Sequence, residues 1–181
     1  RSYYPIYENL IKCSLQNLKT IKFDIYIDHC DAYKWLELCR GLYYMISSIV
    51  LCMALNIYHE ARGEPLAGQI AVGHSVLNRV ADKRYPNDVC GVVKQAKYHE
   101  WDKVNPIRHQ CQYSWWCDGL DDTPYADKAM LESTILAQYL LAGKSIDIIE
   151  GATHYHADYV HPYWADHMTE VIKIGKHIYY R

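Results

Sequence analysis

The chain of 181 residues suits one domain, or one domain with a short appendage. Its 19 Lys and Arg against 21 Asp and Glu give a formal net charge of −2 with no basic run, which argues against nucleic-acid binding. Eighteen Tyr beside a single Phe favour a core that opens into a groove, because Tyr joins an apolar body to a polar tip.

Residues 1–44 mix Tyr and Ile with charge and carry no clear motif. Within them the alternation of Ile21–Ile27 predicts a strand. This stretch reads as an appendage to a domain over 45–181. It begins at Arg1 and does not read as a signal peptide. The apolar run Gly41–Tyr58 approaches membrane-spanning length, but Ser47, Ser48 and Asn56 interrupt it and a charged motif follows. It therefore predicts a buried helix through Tyr58, capped by Ser47 or Ser48, and no membrane span. Pro65 suits the first turn of a second helix, Pro65–Asp82, with Ile70, Gly73, Val76, Leu77 and Val80 on one face. A turn at Tyr85–Asp88 and a short buried helix, Val89–Gln95, come next. Residues 96–122 are rich in Trp, His and Asp with little periodicity, and predict a long surface loop. Thr123 and Pro124 open a helix to about Leu141, closed by Gly143. The C-terminal stretch reads as β: His154–Tyr159, Met168–Ile174, a Gly175-Lys176 turn, and His177–Tyr180. The expected fold class is α+β, mainly helical, with a small C-terminal β-hairpin or sheet.

Three segments can carry chemistry. In Tyr58-His59-Glu60-Ala61-Arg62-Gly63-Glu64-Pro65, Glu60 ends an apolar helix, where partial desolvation raises a carboxyl pKa and suits it to protonate a leaving oxygen. Arg62 and Glu64 can pair and fix the turn. In Cys111-Gln112-Tyr113-Ser114-Trp115-Trp116-Cys117-Asp118-Gly119, aromatic rings beside amide and hydroxyl groups suit a sugar-stacking groove. In His154-Tyr155-His156, both His share one strand face, a metal-ligand geometry with His161, His167 or Asp158 as a third donor. Each also has an ordinary reading: a solvated helix cap, an aromatic loop packed on the core, the face of a hairpin. Cys52, Cys90, Cys111 and Cys117 lie in the better-patterned region, and disulfides or buried thiols both fit them.

Taken together and in order, Glu60-Ala61-Arg62-Gly63-Glu64-Pro65, Gly68–Val72, Leu77–Val80, Tyr85-Pro86, Val89–Val93, Cys111–Gly119 and Ala152–Tyr155 resemble the SleB/CwlJ-type cell wall hydrolases over about residues 50–170. That family degrades peptidoglycan, spore cortex included, and related domains occur in phage lysis proteins (endolysins). The resemblance implies a lysozyme-like fold related to lytic transglycosylases, with Glu60 as general acid and base. It implies a groove lined by Gln112, Tyr113 and Ser114, with Tyr155 in a second lining stretch; Glu64 and Trp115 are further substrate-binding candidates.

The expected reaction cuts between N-acetylmuramic acid and N-acetylglucosamine and leaves 1,6-anhydro ends, with no cofactor or metal. The expected place of action is the bacterial wall, from the periplasm or the exterior, and the expected partner is the glycan strand. Three rivals are a hydrolytic muramidase, a zinc amidase using His154 and His156, and a non-catalytic wall or virion binding module. Residues 1–44 are a candidate docking segment for a phage structural protein or a spore coat protein.

Overall fold

In the computed structural model residues 48–181 are described and form one unit; the region read as an appendage, with the Ile21–Ile27 strand, lies outside the described residues. The first described element is a helix over residues 48–61 (α1). Cys52, Met53, Ala54, Asn56, Ile57, Tyr58 and Ala61 are all buried, so this helix meets protein on most of its sides. It runs three residues beyond the predicted end at Tyr58, which brings Glu60 into its last turn. Among the described residues no helix is long and apolar enough to cross a membrane.

Pro65 stands at the N-cap of α2 (Leu66–Ala81). The inward face of α2 is wider than the predicted stripe. It buries Ala71, Val72, His74, Ser75 and Arg79 beside Gly73 and Val76, while Ile70, Leu77 and Val80 are partly buried. A Cβ at Gly73 would overlap Leu140 Cδ1, so the approach of the next long helix depends on that glycine. A short helix, α3 (Val89–Val93), is capped by Asp88, whose carboxylate accepts from Gly91 N–H at 2.7 Å. The last helix, α4 (Asp127–Leu141), starts three residues after Pro124, later than predicted, and Gly143 follows it in the left-handed region at φ 67°.

Residues 96–122 are not a loop throughout. They hold an antiparallel hairpin, β1 (Ala96–His99) and β2 (Asp102–Cys111), followed by a 3-10 turn, Ser114–Cys117. The pairing register shifts twice, and the two strands form a sheet of their own. With no buried face along β2 there is no two-residue hydrophobic alternation, and Pro106 within it reads as a strand breaker.

The C-terminal sheet has three antiparallel strands in the order β3-β5-β4: β3 (His154–Ala157), β4 (Glu170–Ile174) and β5 (His177–Tyr180). The strands are shorter than the predicted runs to Tyr159 and from Met168. Gly175 turns the chain at φ 59°, and a Cβ there would run into the Glu64 carboxylate.

The helices and the 3-10 turn enclose one core; Ala71, Ile149, Ala152 and Tyr179 form a second, smaller one beside the sheet. Tyr155 packs against both. Disulfides Cys52–Cys90 and Cys111–Cys117 resolve the choice between bridges and thiols for these four residues.

Candidate active site

Glu60 sits where α1 stops and the chain turns at Arg62-Gly63 toward Pro65. Across from it, the Tyr155 hydroxyl on β3 donates to Glu60 Oε2 at 3.0 Å. Burial raises the Glu60 carboxyl above its ordinary range, while the Tyr155 hydrogen bond and the nearby charge of Arg79 pull the other way. Burial likewise drives the Tyr155 phenol well above its usual range, reinforced by the Glu60 charge, so it serves as a donor and not as a base. Tyr155 is itself held among rings of β5: its centroid lies 5.1 Å from His177 and 5.4 Å from Tyr179.

Arg79 is the charged residue that the sequence reading missed. It is 3% exposed, and its Nε donates to the Thr153 carbonyl at 2.7 Å, which ties α2 to the residue two before Tyr155. Its guanidinium lies over the rings of Tyr113 and Tyr85, at 5.1 and 5.5 Å, and Nη1 has no hydrogen-bond partner among the described residues. A buried cation is costly unless something nearby is or becomes negative. A signal was present: Arg79 lies three residues after Val76 and seven after Val72, on the helix face those buried residues share.

The other predicted residues are placed unequally. Gln112 and Ser114 are exposed, but Tyr113 is buried. Trp115 is only 7% exposed: its Nε1 donates to Asn56 Oδ1 at 3.1 Å and its ring stacks on His59 at 4.6 Å. Expected to stack on sugar, it is a core side chain, because the Cys111–Cys117 bridge and the 3-10 turn fold the segment inward. Glu64 does not pair with Arg62. Its Oε2 accepts from Lys176 N–H at 2.9 Å, a tether from the α1–α2 turn to the β4–β5 turn. Arg62 instead donates to the Tyr58 carbonyl at 3.3 Å and the Tyr125 hydroxyl at 2.8 Å.

The proposed zinc pair is otherwise engaged. His156 sits between the Ala157 carbonyl at 2.9 Å and the Tyr180 hydroxyl at 3.0 Å. His154 Nδ1 lies 3.0 Å from the Thr153 hydroxyl, and burial pushes its pKa down. Among the described residues no three His, Cys, Asp or Glu side chains gather as a metal site. The strand spacing did put both His near each other, but aromatic neighbours, not a third ligand, complete the cluster: Trp164 lies 5.4 Å from His154 and 5.6 Å from His156.

With this geometry in place, the similarities to known proteins can be read. Residues 63–180 match the family described as Cell Wall Hydrolase, a match that starts three residues after Glu60. Over 45 residues the chain is 47% identical to a spore cortex-lytic enzyme of Bacillus cereus, a stretch covering 25% of this chain and 17% of that protein. Over 41 residues it is 46% identical to a spore cortex-lytic enzyme of Bacillus subtilis, covering 23% of this chain and 13% of that protein. These stretches span less than a fifth of the curated relatives. The catalytic domain of the germination-specific lytic transglycosylase SleB from Bacillus anthracis aligns at a TM-score of 0.53 with 27% identity, covering 74% of this chain and 93% of that one.

Proposed function

We propose, from the premise that the chain belongs to the cell wall hydrolase family, that it cuts the glycan strands of peptidoglycan as a lytic transglycosylase with Glu60 as its acid and base. The observation that carries this reading is the Glu60 carboxyl itself: half-buried, raised in pKa, and oriented by the Tyr155 hydroxyl at 3.0 Å. Protonated Glu60 gives its proton to the glycosidic oxygen as the bond from that oxygen to the muramic C1 breaks. The oxocarbenium-like centre that remains is attacked by the substrate's own C6 hydroxyl. Glu60, now a carboxylate, takes the hydroxyl proton, and a 1,6-anhydro ring closes. Tyr155 and Arg79 favour the carboxylate form, which is the form Glu60 holds between the two proton transfers.

This route needs one carboxyl, whereas hydrolysing glycosidases ordinarily use two. Of the carboxyls that could serve as the second in a hydrolytic route, three hold hydrogen bonds: Glu64 accepts from Lys176 N–H, Asp118 from Leu120 N–H at 2.8 Å, and Asp121 from the Thr123 hydroxyl at 2.7 Å. Asp122, whose backbone carbonyl lies 3.1 Å from His59 Nε2, has its carboxyl pKa raised by burial and is the one a hydrolytic muramidase would use. The Bacillus anthracis neighbour is a lytic transglycosylase, which supports the one-carboxyl route, and the spore cortex-lytic relatives point to cortex peptidoglycan as the first substrate to test. The test is digestion of purified peptidoglycan with product masses read by mass spectrometry. Anhydro-muropeptides from the wild type and none from Glu60→Gln are expected. Reducing ends alone would overturn the transglycosylase route, and loss of activity in a chelator would turn attention back to His154 and His156.

A further inference from the structure

Because Trp115 is buried, an open ring for sugar stacking has to be sought elsewhere around the end of α1. Tyr125, in the loop leading into α4, is 78% exposed. Its position is nevertheless defined at both ends. Its backbone N–H donates to the Tyr58 hydroxyl at 3.2 Å, and that of Ala126 to the same oxygen at 3.1 Å. Its own hydroxyl accepts from Arg62 Nη2 at 2.8 Å. The Arg62 guanidinium lies over the Tyr125 ring, 5.1 Å from its centroid, and over the Tyr58 ring at 4.9 Å.

Single exposed aromatic residues are ordinary and need no explanation. Trp101 at the hairpin tip is such a case, stacked on His99 within its own hairpin. Tyr125 differs in what holds it. Tyr58 and Arg62 are the residues two before and two after Glu60. That spacing turns both away from Glu60 around the helix, so the Tyr125 ring and the Glu60 carboxyl flank the same helix end from different sides. One face of the ring carries a cation and the ring as a whole is open, so binding there does not first have to order the side chain.

We infer that Tyr125, held by Arg62, is a secondary sugar-stacking subsite that takes an amino-sugar unit of the glycan strand away from the point of cleavage. The C–H face of a pyranose packs on the open aromatic face, and its ring substituents meet the Arg62 and Tyr125 polar groups. The inference rests on the glycan-cutting reading above. It explains what a single sugar at Glu60 does not need: an ordered, solvent-facing ring fixed to the catalytic helix. A polymer crossing the end of α1 meets both places, and a disaccharide at Glu60 meets one.

The test uses the full chain carrying Glu60→Gln as a non-cleaving parent. Binding of long, peptide-free glycan strands and of their disaccharide unit is measured by calorimetry. Adding Tyr125→Ala is expected to weaken strand binding about three- to tenfold, the size of one aromatic contact, and to leave the disaccharide unchanged. Adding Tyr125→Phe keeps the ring and is expected to stay within about twofold of the parent. Thermal melting checks that each variant is folded. Strand binding by the Ala variant equal to the parent's overturns the subsite, and so does an equal loss for strand and disaccharide. If the wild type cuts peptidoglycan in the same series, the subsite alone has failed. If the parent binds no strand and the wild type leaves peptidoglycan whole, the glycan reading has failed and the subsite with it.

Discussion

Glu60 and Tyr155 meet at 3.0 Å but come from regions built in different ways. Glu60 rides on a helix buried on most sides and cross-linked through Cys52–Cys90 to α3. Tyr155 rides on a four-residue strand beside a small core of Ala71, Ile149, Ala152 and Tyr179, with polar tethers at its edges. Those tethers are Arg79 on the Thr153 carbonyl and Glu64 on the Lys176 N–H. The contrast teaches that the acid is placed mainly by burial of its helix, and its partner by ring packing together with hydrogen-bonded tethers. Damage to the tethers is therefore expected to disturb the meeting of the two groups more than the fold, and damage to the helical side the reverse.

The largest effect is expected from the acid itself. Glu60→Gln should lower glycan cleavage by about 10²–10⁴-fold, the usual contribution of a positioned acid. It should also stabilise the protein at neutral pH. A carboxyl whose pKa is raised on folding holds its proton more tightly when folded, so the wild type loses stability as pH rises from the ordinary Glu value of 4.5 through the raised one. Gln carries no such loss, and the two proteins should converge in acid. Thermal melts of both across pH check this; a stability difference that does not change with pH would mean that Glu60 is not desolvated.

On the helical side, Cys52→Ala with Cys90→Ala opens a closure of 38 residues and should cost about 4 kcal/mol of stability on a chain-entropy estimate. The same change at Cys111–Cys117, separated by six, should cost about 2 kcal/mol. Denaturant melts measure both. Equal costs would show that strain or residual structure, not loop length, governs them.

On the sheet side, Glu64→Gln weakens a charge-assisted hydrogen bond and should cost about 1–2 kcal/mol. If the contrast between the two sides holds, it should lower activity at temperatures where the protein remains fully folded, and the Cys52–Cys90 pair should not. The smallest effect is expected from Tyr155→Phe. It removes a bond that favours the carboxylate, so the Glu60 pKa should rise further, and the alkaline limb of the pH–rate profile, where the acid loses its proton, should move to higher pH. An unmoved limb would mean that Tyr155 does not touch the titrating group.

Much of this molecule was legible along the chain. The long helices and the three C-terminal strands follow periodicity and turn chemistry, because burial on one side imposes a repeat that survives in sequence. The β1–β2 hairpin left no such repeat, since it has no buried face along its length. Glu60 stood out as the candidate acid through the ordered set of motifs that begins at it; its place at the end of an apolar run is compatible with that role but also with a solvated helix cap. Its partner was only a member of a groove-lining stretch, because Tyr155 lies 95 residues away and nothing in its neighbours says that it points at a carboxyl.

The sequence by itself determined the element types outside residues 96–122, the family and the single best candidate acid. Which aromatic rings face solvent was decided only by the tertiary structure: Trp115 is drawn into the core by Asn56 and His59, while Tyr125, with no motif around it, is held open on Arg62. The physical reason is that a motif records which residue types stand together, whereas exposure depends on distant segments that pack over one ring and leave another uncovered.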